Sequence, residues 1–92
     1  MSVTLREQIS EAAAVGDFHV IFYDGLDAAI VGLVTRFNLP HPVVLYDREK
    51  CLAIFMERDR MTREMAEEWM SFNVEGGWLG EATPAFTVPL DV

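Results

Sequence analysis

Six residues, FHVIFY from Phe18 to Tyr23, set the first requirement on any fold for this chain. The run is rich in aromatic and β-branched residues and stops at Asp24–Gly25, so it reads as a buried strand ended by a turn. His19 lies inside it, and a lone histidine in a strand is far more often a packed or rim residue than a catalytic one. A strand needs further strands and a covering layer, and the rest of the chain is read for what could supply them.

Residues 3–15 place Val3, Leu5, Ile9, Ala12, Ala13 and Val15 near helical spacing, with Gly16 as the stop. After the Asp24–Gly25 turn, Asp27 is a good N-cap residue. Ile30, Leu33, Val34 and Phe37 then recur at helical spacing, so residues 28–37 read as a helix, closed by Asn38 and Pro40. A strand is the competing reading, because AIVGLV is apolar and partly β-branched. Val43–Tyr46 is a short strand candidate, and Phe18–Tyr46 becomes a strand–helix–strand unit, right-handed if its strands are parallel. Asp47 caps a helix with Leu52, Phe55 and Met56 as its apolar stripe and Cys51 as a small buried hydrophobe near its first turn.

Thr62 caps the next helix, with Met61 and Ala66 as a weak staple. There Met65, Trp69 and Phe72 share one face, and Glu64, Glu67, Glu68 and Ser71 share the other. Adjacent Gly76 and Gly77 loosen its end. Phe86–Val88 gives a last short strand, limited by Pro89 and suited to a sheet edge. The expectation is an α+β or small α/β domain over residues 1–92, with about three short strands and four helices packed on them, in the order α-β-α-β-α-α-β.

At 92 residues the chain is one domain by length, and 51% hydrophobic residues is well above what a disordered chain carries. A domain this small leaves apolar surface uncovered, which suggests a partner or a second copy. The net charge is −8, unevenly spread. From Glu64 to Val92 there are six acids and no Lys or Arg, whereas Ile30–Arg63 holds six bases against four acids. Direct nucleic-acid binding is disfavoured, because phosphate contacts need clustered bases. A protein partner with a basic surface is favoured by the same charge, although the plainer reading is that it keeps the domain soluble. The single cysteine permits no internal disulfide and fits a reducing cytoplasm. No signal peptide is legible, and no apolar stretch approaches a membrane span.

Few residues suggest chemistry. Cys51 as a nucleophile would need a histidine, His19 or His41, in reach, and no spacing singles one out. Asp24, Asp27 and Asp47 could gather at strand ends as a metal site, but their spacing is not that of a calcium loop, and two caps and a turn account for them more simply. EGGWLGE has glycines without the Lys–Ser/Thr ending of a phosphate loop. Trp78, set among those glycines, reads first as a core plug and otherwise as an anchor for a protein contact. No catalytic, cofactor or metal residue is assigned.

The segments DGLDAAIVG, YDREKC, MTREMAEEW and FNVEGGWLGEATPAF resemble a family of small uncharacterised proteins of bacteriophages and prophages, over about residues 23–86. The family pattern runs D-G-x-D-(D)-A-I-x-G, Y-D-x-x-K, M-T-x-E-x-A-x-E-aromatic, then F-N-x-x-G-x-aromatic-x-G-x-x-T-P-x-F. Matching positions include Asp24, Gly25, Asp27, Gly32, Tyr46, Asp47, Lys50, Thr62, Glu64, Glu68, Trp69, Phe72, Asn73, Gly76, Trp78, Gly80, Thr83, Pro84 and Phe86. Ala28 stands where the family often carries a second acid, and Asn38 where it often has glycine. The resemblance brings no established activity. It implies a phage-encoded accessory protein acting in the bacterial cytoplasm.

The leading expectation is therefore a small acidic protein that binds a host or phage protein, for example an inhibitor of a bacterial defence system of anti-CRISPR type or a nucleic-acid mimic. Its candidate contact residues are Glu64, Glu67, Glu68, Glu75, Trp78 and Glu81. A homo-oligomeric structural or scaffold protein, such as a homodimer, joined through the Met65, Trp69 and Met70 face is the alternative. A small metal-dependent enzyme using Asp24, Asp27 and Asp47 is a third.

Overall fold

Three short strands, Ile30–Val34 (β1), Val43–Tyr46 (β2) and Ala85–Phe86 (β3), form one mixed sheet in the computed structural model, which describes residues 3–90. β2 is central. β1 pairs with it antiparallel, from Ile30 opposite Tyr46 to Val34 opposite Val43, with an irregularity between Ile30 and Gly32. β3 pairs with it parallel, Tyr46 opposite Phe86. Three α-helices accompany the sheet: Leu5–Gly16 (α1), Arg48–Arg58 (α2) and Arg63–Met70 (α3), the last continued by a π-helical turn over Ser71–Glu75. The observed order is α-β-β-α-α-β. The chain is thus α+β with a three-stranded sheet, and the expected fourth helix is absent from the described residues.

Residues 28–37 account for most of that difference. Asp27–Ala29 make a single 3-10 turn, and the chain then extends into β1. A helix here would have carried Gly32 in its interior among Ile30, Val31, Val34 and Thr35, at a cost of about 1 kcal/mol for the glycine alone. In the strand the β-branched residues suit the pleat, and Gly32 sits at the bulge. β1 and β2 therefore form an antiparallel pair joined by residues 35–42, not a parallel strand–helix–strand unit.

Phe18–Tyr23 is the second difference. It is buried in part, as its composition demands, but it is irregular and joins no strand. Val20, Phe22 and Tyr23 pack on the core. The backbone N–H of Tyr23 donates to Tyr46 Oη at 2.8 Å, so a side chain takes the place of a ladder partner. The rings of Tyr23 and Tyr46 each stack on Phe86 and are tilted to one another, with centroids 5.4–5.9 Å apart, tying this segment to β2 and β3.

Helix ends follow the capping signals closely. Asp47 accepts from Lys50 N–H at 3.2 Å, and Thr62 accepts from Met65 N–H at 3.2 Å. Thr4 does the same for α1 through Glu7. α1 runs one residue beyond expectation: Gly16 is its last residue, and Asp17 takes the left-handed conformation at φ 55°. Of its apolar row only Ile9 and Ala13 are buried, while Val3, Leu5 and Val15 are exposed.

The core is built from Leu26, Ala29, Val44, Tyr46, Cys51, Leu52, Phe55, Ala66 and Met70. α2 buries Cys51, Leu52 and Phe55 but leaves Met56 partly outside. α3 buries Ala66 and Met70, and the π turn adds Val74. Gly76 follows the π turn, at a position only glycine fits, because a Cβ there would lie 2.6 Å from the Ser71 carbonyl oxygen.

Candidate functional site

The three aspartates that could have made a metal site have separate tasks. Asp24 and Gly25 form the centre of a turn in which Leu26 N–H donates to the Tyr23 carbonyl at 3.4 Å, and Gly25 has the positive φ of 79° that its position requires. Asp27 is not a helix N-cap. Its carboxylate accepts from Arg6 Nη1 at 3.0 and 3.2 Å, and the Arg6 guanidinium lies 4.6 Å from the centre of the Phe22 ring. This pins α1 against the start of β1. Asp47 caps α2 as its sequence position implies. Among the described residues no three His, Cys, Asp or Glu side chains gather in a group able to hold a metal.

Cys51 is fully buried, and burial pushes its thiol up to about 12, with Asp47 and Glu75 adding to the shift. A thiol held protonated in the core is no nucleophile. His41 stacks on Phe18 with ring centroids 5.6 Å apart, and His19, His41 and Glu81 line a small pocket with Pro40, Pro42 and Ala82. That pocket brings three of the sequence-selected residues, His19, His41 and Glu81, together without a nucleophile in its lining.

The informative surface is α3. It carries two apolar rows, and the fold buries the row of small and flexible side chains, Ala66 and Met70, continued by Val74. The other row, Met65, Trp69 and Phe72, faces solvent at 52%, 45% and 80% exposure. Met70, proposed from sequence as part of a dimer face, is fully buried and cannot contribute to one. Over the π turn Val74 stays in the core while Phe72 is exposed, and Asn73 Nδ2 donates to the Trp69 carbonyl at 3.3 Å.

Carboxylates border this row. Glu64, Glu67, Glu68, Ser71, Phe72 and Arg48 line an open groove beside α3. Glu67 shares Arg63 with Glu49, at 3.3 Å and 2.8 Å, and Arg63 holds the Glu49 carboxyl below its usual range. Arg48 is engaged by Glu75 at 3.0 Å. Glu64 and Glu68 have no cationic partner among the described residues. Of the six candidate contact residues, Glu64, Glu67 and Glu68 therefore share one groove. Glu75 is committed to an ion pair, and Glu81 lines the histidine pocket.

Trp78 is not a core plug: it is 77% exposed. Its loop is nonetheless ordered by Thr83, whose Oγ1 accepts from Leu79 N–H at 2.8 Å and whose N–H donates to the Gly80 carbonyl. The presence of a second apolar row on α3 was the signal available in the sequence for a solvent-facing aromatic stripe, since a helix packed on one side of a small core buries only one such row.

Comparison with protein-family models, curated proteins and solved structures gives no match to this chain. Among the described residues no helix is long and apolar enough to cross a membrane.

Proposed function

We propose that this chain is a small acidic binding protein of bacteriophage or prophage type, acting in the bacterial cytoplasm on a host or phage protein through that protein's basic surface. Inhibition of a bacterial defence system, in the manner of an anti-CRISPR protein or a nucleic-acid mimic, is its most concrete form. The observation that carries the reading is the Met65–Trp69–Phe72 row standing in solvent beside Glu64 and Glu68, whose carboxylates have no cationic partner among the described residues. Large exposed aromatics are typical anchors of protein contacts, and a surrounding field of one sign speeds encounter with a partner of the other. The family resemblance supports the phage setting. The reading assigns no catalytic residue and no cofactor.

Capture from bacterial lysate tests it. The chain should retain one or a few proteins at low salt and lose them at about 1 M salt, where the screening length is about 3 Å. The Glu64→Lys/Glu68→Lys variant should retain none of them. Retention that is unaffected by the double variant would remove the acidic face from the reading. Light scattering separates the scaffold alternative, which requires a dimer of the isolated chain at tens of micromolar, by order of magnitude a common dimer affinity.

A further inference from the structure

Resting on the reading above, we infer that the occupant of the α3 face is a cationic amphipathic α-helix of the partner, laid along the Met65–Trp69–Phe72 row. Met65 and Trp69 lie one α-helical turn apart, the spacing by which one helix presents a ridge to another, and Phe72, within the π turn, extends the exposed row. Glu68 flanks the row, and Glu64 stands one step further out along the groove shared with Ser71 and Phe72. A docked helix that set leucine-like side chains against Trp69 and Phe72 would thereby bring its own flanking positions over carboxylates that have no cationic partner among the described residues. Lysine or arginine at those positions completes the pairing.

The same charges argue against two other occupants. A second copy of α3 would set Glu64, Glu67 and Glu68 against themselves, and Arg63, the sole base of the helix, is already held by Glu49 and Glu67. An anionic lipid surface is repelled by these carboxylates. Arg48, which also lines the groove, does not reverse its sign because Glu75 neutralises it.

The test uses the Trp78→Phe chain, in which Trp69 is the remaining tryptophan. It is titrated with three synthetic probes of about five helical turns: a leucine–lysine amphipathic helix, a peptide of the same composition with its leucines spread around the helix, and oligolysine. The inference predicts a blue shift of Trp69 emission and binding at least about tenfold tighter for the amphipathic helix than for either control, with the preference abolished by Phe72→Ala. Equal binding of all three probes would overturn the helix while leaving the acidic face as a binder of basic surfaces. Binding of none would overturn both. A blue shift by anionic vesicles but not by the helix would assign the face to lipid and overturn the inference.

Discussion

Tyr46, in the middle strand, accepts on its phenolic oxygen the backbone N–H of Tyr23, 2.8 Å away. The Tyr46 side chain thereby satisfies one backbone donor, at the end of a segment that has no strand beside it. Burial raises the Tyr46 pKa, with the Tyr23 hydrogen bond opposing the shift. Tyr46→Phe keeps the ring stack and leaves that N–H without its partner, so the expected loss is about 1–3 kcal/mol. Tyr23→Phe removes only a long hydrogen bond, 3.4 Å to the Val74 carbonyl, and costs less. Urea denaturation of the two variants gives the comparison.

The caps make a second, differential prediction. Asp47→Ala and Thr62→Ala each remove a helix N-cap and should cost about 1 kcal/mol, whereas Asp47→Asn retains most of the stability. Asp27→Asn gives up an exposed ion pair to Arg6 and should cost well under about 1 kcal/mol. Thermal melts rank these variants. A loss for Asp27→Ala equal to that for Asp47→Ala would restore the helix over residues 28–37.

Cys51 sets the behaviour at alkaline pH. In the folded chain its thiol is pushed up to about 12 by burial, while an unfolded thiol titrates near 8.5. Between these values the native state binds the extra proton, so stability is intact below about pH 8.5 and falls as pH rises towards 12. Tyr23 and Tyr46, both raised by burial, deepen the loss above about pH 10. At pH 8 a thiol reagent should label the native chain at least about a hundredfold more slowly than the chain in urea, because the sulfur becomes accessible only on opening. Equal labelling rates would contradict the buried placement.

Local chemistry was the legible part of this sequence. Asp47 and Thr62 cap helices because their side chains reach the N–H three residues on, a contact that needs nothing from the rest of the fold. β2 is bounded by Pro42 and Asp47 and has the predicted limits. Residues 28–37 were misread because Ile30, Leu33 and Val34 fit a helical period as well as a strand, and the pairing with β2 that decides between them is non-local. Phe18–Tyr23 showed its burial but not its irregular backbone, since the hydroxyl that takes the Tyr23 N–H, that of Tyr46, lies 23 residues away. On α3 the periodicity set Met65, Trp69 and Phe72 on one apolar face, but the core takes the neighbouring row of Ala66 and Met70, a choice that depends on the adjoining α2 and sheet. Trp78 failed for a related reason, as glycines around an aromatic do not reveal which way its loop faces.

Amide hydrogen exchange of the chain, alone and with its captured partner bound, tests the assignment of the α3 face most directly. Slowed exchange should concentrate over residues 63–79, with α1 and β1 unchanged, because a helix lying on Met65, Trp69 and Phe72 suppresses opening of α3 and its π turn. Protection confined to α1 or to β1 and the residues after it, with residues 63–79 exchanging as in the isolated chain, would contradict the account.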